Sequence, residues 1–239
     1  MTQLKPPQHN TNNNRINVES SDELHSRISP WVAKILYFIG CYFVIPGFFG
    51  NVDITGQENI PLQDPVIVAP THRSRWDAFI IPYALGRYVS GRDLRFMVSE
   101  NEVKGFQGWV INRMGGFPVN TDRPQLNSVR HSIKLLKETP EMLVIFPEGG
   151  IYHDNQIHPL KRGVASIALQ VETDKSQRGV KILPVGIRYS DPLPRWRTKV
   201  KVDIGIPLTV AEYLNGSLRK SSQHLTTALE EKLRQLYDN

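Results

Sequence analysis

The first sustained apolar segment runs from Trp31 to Phe49, and its pattern differs from everything after it. Ser29 is placed to cap a helix, and Pro30 occupies the first helical position, where its missing N–H is no loss. From Ile35 to Gly50 there is neither a charge nor a polar face, so the segment must lie in a protein core or in lipid. Pro46-Gly47 is expected to end or kink it. Residues 30 to 45 then span roughly 24 Å at ~1.5 Å per residue, short of a ~30 Å hydrocarbon core, which favours a re-entrant or surface-embedded anchor over a full crossing. Trp31 and Lys34 are placed for the headgroup level, and Phe48 and Phe49 for insertion beyond the kink. A buried core helix is the alternative.

Beyond Asn51, short β-branched runs alternate with helical stretches. The runs predict strands at Val66–Ala69, Leu94–Val98, Phe117–Val119, Leu143–Phe146, Ile182–Ile187 and Val200–Ile204, with helices at Asp77–Leu85, Leu126–Glu138, Gly163–Glu172 and Leu218–Leu236. This alternation predicts an α/β fold, a single domain with a mixed central sheet covered by helices, preceded by the hydrophobic membrane-associating helix. Residues 1–21 are polar and rich in Asn, Gln and Ser, the composition of a disordered tail. The expected organisation is therefore a tail at 1–21, a membrane-associating segment at 22–50 and one catalytic-sized domain at 51–239, without internal repeats.

Composition narrows the class. With 40% hydrophobic and 22% charged residues, the 239-residue chain is neither a polytopic membrane protein nor disordered. An excess of Lys and Arg gives a net charge of +6, which suits an anionic bilayer, a phosphorylated substrate or nucleic acid. The last is set aside because no aromatic-basic interleaving or recognition helix is present. The single Cys41 cannot form an internal disulfide and no Cys/His cluster has zinc spacing, so a metal-free site in a reducing compartment is expected. The apolar run begins too late for a secretory signal, which favours the cytoplasmic face of a membrane.

Two apolar runs end at prolines and deliver chemistry to one sheet edge. Val66-Ile-Val-Ala-Pro70 leads into Thr71-His72-Arg73-Ser74-Arg75-Trp76-Asp77, in which one nitrogen of His72 can be oriented by Asp77 while the other faces substrate. No G-x-S-x-G elbow supplies a nucleophile, so a substrate hydroxyl deprotonated by His72 is the natural attacking group. Met142-Leu-Val-Ile-Phe-Pro147 delivers Glu148, Gly149 and Gly150, with Lys161 and Arg162 in the same loop. Glycines there admit an anion close to the backbone, and Glu148 either holds an Arg or Lys in place or bonds a glycerol hydroxyl. Gly115-Gly-Phe-Pro-Val-Asn-Thr-Asp-Arg123 ends in a cation that can take a phosphate. Ile182-Leu-Pro-Val-Gly186 reads more readily as structure.

The order of these elements resembles the glycerophospholipid acyltransferase family, particularly its lysophosphatidate acyltransferases, over about residues 51–207. The resemblance implies transfer of an acyl chain from acyl-carrier protein or acyl-CoA to the free sn-2 hydroxyl of a lysophosphatidate, 1-acyl-glycerol-3-phosphate, giving phosphatidate, without a cofactor, at a membrane surface. It makes His72 the base, Asp77 its orienting carboxylate, Glu148 and Gly149 the glycerol-phosphate turn, and Arg123 the nearest candidate for the phosphate-binding arginine. Three positions depart from the family pattern: Thr121 stands where the family arginine usually lies, Gly150-Ile151-Tyr152 replaces Thr-Arg-Ser, and Val98 replaces a lysine for which Lys104 is the nearest substitute. These leave open another lysolipid, glycolipid or amino-acid lipid as acceptor. A non-catalytic membrane-binding module is the third alternative, and the intact His72/Asp77 pair speaks against it.

Overall fold

The computed structural model describes residues 28–119, 126–174 and 179–238. The tail expected at 1–21, Thr121 and Arg123 lie outside them. In chain order the strands are β1 (Asn51–Thr55), β2 (Val66–Pro70), β3 (Leu94–Ser99), β4 (Phe117–Val119), β5 (Met142–Val144), β6 (Lys181–Tyr189), β7 (Lys199–Ile204) and β8 (Leu208–Thr209). The helices are α1 (Pro30–Ile39), α2 (Ile45–Phe48), α3 (Asp77–Leu85), α4 (Arg87–Ser90), α5 (Gly105–Arg113), α6 (Leu126–Glu138), α7 (Gly163–Glu172) and α8 (Leu218–Asp238).

The strands form one sheet in the order β1-β7-β6-β2-β5-β3-β4, with β8 beside β6. Pairing is parallel from β6 through β4, whereas β7 and β8 run antiparallel to β6 and β1 follows β7. The expected mixed sheet is therefore present. Val66 and Val68 of β2 join a core with α3, while Ile67 and Ala69 join a second core with α6, α7 and α8. Burial on both faces explains why β2 is apolar at consecutive positions instead of alternating.

Besides the short α4 and β8, two elements lie outside the expected pattern. Strand β1 alternates between exposed and half-buried positions, with Asp53 in its middle, so no apolar run marks it. Helix α5 carries two glycines and no capping side chain, which hides it from a search for periodicity.

The N-terminal helix also differs. It continues past Pro46 to Phe48, through a π-helical turn at Gly40–Val44 that joins α1 to α2. The turn shifts the hydrogen-bond register ahead of Pro46, whose ring would otherwise crowd the preceding carbonyl. The whole span, Pro30–Phe48, is long and apolar enough to cross a membrane by length and composition. One stripe, Ala33, Tyr37 and Ile45, is buried against the domain, while Trp31, Ile35, Phe38, Ile39, Tyr42 and Phe43 face outward. Phe48 and Phe49 do not insert outward as expected. Phe49 is buried, and Phe48 stacks on Trp76 with ring centres 4.4 Å apart.

Candidate active site

Strand β2 and strand β6 bring the first motif to the sheet edge. The pairing continues one residue past β2, where the Thr71 N–H donates to the Val185 carbonyl and the Ile187 N–H donates to Thr71 Oγ1. The chain then turns through residues 72–76, and Asp77 opens α3.

Asp77 is fully buried, and its carboxylate is satisfied by four donors. Oδ2 lies 2.9 Å from His72 Nδ1 and accepts the backbone N–H groups of Arg73 and Ser74 at 2.7 and 2.9 Å. Oδ1 accepts the Tyr189 hydroxyl at 2.6 Å. Burial, and then the Asp77 charge, push that phenol far above the usual tyrosine range, so it stays a donor. His72 keeps part of its ring in solvent and stacks on Phe146 at 3.8 Å. Its Nδ1 is committed to Asp77, which leaves Nε2 for another molecule.

Beneath this pair lies a buried arginine whose donor groups are all engaged. Arg73 grips Glu148 bidentately, Nη1 to Oε2 at 2.7 Å and Nη2 to Oε1 at 3.0 Å. The remaining bonds run to the carbonyls of His72 and Gln156 and to the Tyr237 hydroxyl at the end of α8. Burial alone would lower the guanidinium's pKa, but Glu148 and Tyr237 outweigh it and the net shift is upward. Glu148 also accepts the backbone N–H groups of His72 and His158, both at 3.0 Å. Of the two roles open to Glu148 in the sequence, this geometry matches holding an arginine, and the arginine is Arg73. All of its bonds run to protein groups.

Gly149 follows with φ +72°, and a Cβ there would meet Lys161 Cε at 2.5 Å. Lys161 therefore packs over the Glu148-Gly149 turn, and its own N–H donates to the Pro147 carbonyl. Arg162 is elsewhere. It precedes α7 and lines a shallow groove between α7 and α8 with Ser166, Leu218 and Arg219. Tyr152, one of the departures from the family pattern, donates its N–H to the His72 carbonyl and stacks on His158. Lys104 precedes α5 and is exposed.

Sequence reasoning named His72, Asp77 and Glu148, which meet here, but gave no role to Arg73, Tyr189 or Tyr237. Arg73 had one available signal, its place directly after His72 in a turn facing an acidic one. Tyr189 and Tyr237 had none, because each reaches the site from a distant part of the chain.

A histidine held by a buried carboxylate through Nδ1, with its other edge open at the end of a mixed α/β sheet, has the geometry to accept a proton from a hydroxyl. The profile of the Acyltransferase family matches residues 51–188, so the chain belongs to that family and is an acyltransferase. Two curated relatives are both named 1-acyl-sn-glycerol-3-phosphate acyltransferase. That of Streptococcus pneumoniae is 26% identical over 208 residues, covering 84% of this chain and 69% of the relative. That of Bacillus subtilis is 29% identical over 202 residues, covering 81% and 92%. The crystal structure of the 1-acyl-sn-glycerophosphate (LPA) acyltransferase PlsC from Thermotoga maritima shares the fold, with a TM-score of 0.60, 21% identity and coverage of 86% of this chain and 80% of that one.

Proposed function

We propose that this acyltransferase moves a fatty acyl group from acyl-carrier protein or acyl-CoA to the free sn-2 hydroxyl of 1-acyl-glycerol-3-phosphate, giving phosphatidate at a membrane surface. The observation that carries the mechanism is His72 Nδ1 at 2.9 Å from a buried Asp77, with the opposite edge of the ring open. Nε2 takes the proton of the acceptor hydroxyl as its oxygen attacks the thioester carbonyl carbon. The tetrahedral intermediate then collapses, the C–S bond breaks, and the imidazolium returns the proton to the thiolate sulfur. Asp77 favours the imidazolium and fixes the tautomer. Glu148 and Arg73 are positioning residues, since they hold the backbone of His72.

The acceptor is supported by the names of the two curated relatives and by the cations near the turn. Lys161, packed over Gly149, leads Arg123 and Arg162 as the group that meets the acceptor phosphate. The exposed apolar face of the N-terminal helix is the proposed membrane contact, lying along the bilayer surface because its other stripe is packed on the domain.

Purified protein, radiolabelled acyl-carrier protein and coenzyme A thioesters, and a panel of lysolipids test this reading. Transfer to lysophosphatidate is expected, and transfer to none of the lysolipids overturns it. Lys161→Ala is expected to raise KM for that acceptor more than it lowers kcat, because a distant phosphate is bound alike in ground and transition states. A second reading, an acceptor with another headgroup, rests on Tyr152 and His158 stacked beside the His72 carbonyl. It predicts that the panel's best acceptor carries no phosphomonoester.

A further inference from the structure

The β6–β7 connection, residues 190–198, presents two large apolar side chains to solvent from a well-braced frame. Leu193 and Trp196 are each 68% exposed. Between them and β7, Thr198 Oγ1 donates to Asp191 and accepts the Arg195 N–H, while the Arg195 guanidinium pairs with Asp191 at 3.0 Å. At the base, the Ser190 N–H donates to the Lys199 carbonyl. These bonds brace the loop beneath its two exposed apolar side chains.

The same loop is fastened to the end of the N-terminal apolar helix. The Arg197 N–H donates to the Phe48 carbonyl at 2.7 Å, Trp196 Nε1 reaches the Gly47 carbonyl at 3.3 Å, and the Gly50 N–H donates to the Thr198 carbonyl. The two backbones approach so closely that a Cβ on Gly50 would sit 2.5 Å from the Arg197 carbonyl oxygen. Arg197 itself has φ +67°, a strained backbone for a side chain with a Cβ, held by these bonds.

Register places the loop on the reactive edge of the sheet. β2 is paired with β6 up to Pro70 and Val185, and β6 runs on to Tyr189, so residues 190–198 project from the edge that carries His72. The apolar helix ends at that edge too, since Asn51 of β1 lies opposite Lys199 of β7.

We propose that residues 190–198 form a second contact with an anionic bilayer, continuous with the N-terminal helix, with Leu193 and Trp196 entering the interface and Arg195 and Arg197 meeting headgroups. The proposal deepens the membrane reading above and rests on it. Its chemistry suits an interface: tryptophan prefers the headgroup boundary, and Arg197 lies over the Trp196 ring at 5.6 Å. Arg195, Arg197 and Lys199 outnumber Asp191, which favours anionic lipid. Two contacts at one edge would orient His72 toward the surface where a lysolipid resides.

Cys41 is the chain's single cysteine, so a Cys41→Ser background allows an environment-sensitive fluorophore on Leu193→Cys, with Gln63→Cys before β2 as a control at the opposite edge. Phosphatidylcholine vesicles containing phosphatidylglycerol are expected to blue-shift the probe at 193, with quenching by doxyl lipid, and to leave the probe at 63 unchanged. Full-length Leu193→Ser/Trp196→Ser is expected to lose about tenfold or more in vesicle partition, while transfer to a detergent-dispersed acceptor persists. An unchanged probe at 193 on protein that sediments with vesicles overturns the proposal and spares the N-terminal anchor. Protein that never sediments with vesicles overturns both. A blue shift elicited by acyl-carrier protein without vesicles also overturns it, because the patch would then be a protein-docking surface.

Discussion

The turn at residues 71–77 and the outer face of the N-terminal helix are both uncommon surfaces, for opposite reasons. In the turn, buried polar groups are matched almost donor for acceptor: Asp77 takes four donors, and Arg73 engages two carboxylate oxygens, two carbonyls and a hydroxyl. On the helix, Phe38, Tyr42 and Phe43 are half or more exposed, and their ring contacts run to one another and, from Tyr42, to the half-exposed Tyr88. Satisfied polar burial fixes geometry, whereas unsatisfied apolar exposure creates a demand for an outside partner. Phe48 stacked on Trp76 joins the two regions. The difference teaches that the position of His72 is set within the fold, whereas the outer face of the helix is left for a partner outside it.

The comparison breaks most sharply at His72. His72→Ala is expected to lose about 10²–10⁴ in kcat while retaining the fold, checked by steady-state transfer and circular dichroism. Asp77→Asn should fall in the same range, and the double variant should be little worse than either single one, since the two act as one unit. A variant of His72 retaining more than about a tenth of wild-type turnover would remove it as the base.

Next in size is Glu148→Ala. It strands Arg73 in the interior, so a loss of about 3–5 kcal/mol in stability is expected from denaturant unfolding. On the helix the expected pattern is inverted. Phe38→Ser/Tyr42→Ser/Phe43→Ser should move the protein from the membrane pellet to the supernatant with little change in melting temperature. Point substitution is the sharper test here, because removing residues through 50 would also strip buried Ile45 and Phe49 from the core.

The smallest effect belongs to Tyr189→Phe. Asp77 keeps three of its four donors, so kcat is expected to fall by no more than about 10–10², the factor that corresponds to a hydrogen bond to a charged group worth about 1.5–3 kcal/mol. The phenol also gives a pH signature. Its folded pKa lies far above the ordinary value near 10, so its contribution to stability is present below about pH 10 and is lost as pH rises above it. Thermal unfolding of Tyr189→Phe should therefore weaken less steeply above that pH than wild type does.

The parts legible in the sequence are those where local pattern and chemistry coincide. The apolar run Val66–Ala69 stopping at a proline, with His72 and Asp77 five apart, suffices to place a strand, a turn, a helix start and a candidate dyad in order. Strand β7 was legible from Val200 and Val202, yet its reversed direction was not, since strand direction leaves no mark on apolar alternation. The passage of the N-terminal helix through Pro46 depends on a π turn, which has no residue signature of its own. Arg73 was hidden by its charge, which reads as surface until its partner Glu148, 75 residues on, is brought beside it.

Tyr237 gives the site a dependence on time. Its hydroxyl accepts from Arg73 Nε and lies 3.1 Å from Thr71 Oγ1, across 164 and 166 residues of sequence. At ~5–20 residues per second, synthesis leaves the turn waiting roughly 8–33 s for its last partner. During that interval the apolar helix near residue 30 has already emerged and can engage lipid, while the Arg73 Nε–H and the carbonyl of Ile187 have yet to find the hydroxyl that bridges them. On the membrane reading proposed above, the apolar helix is available to lipid before the floor beneath His72 is complete.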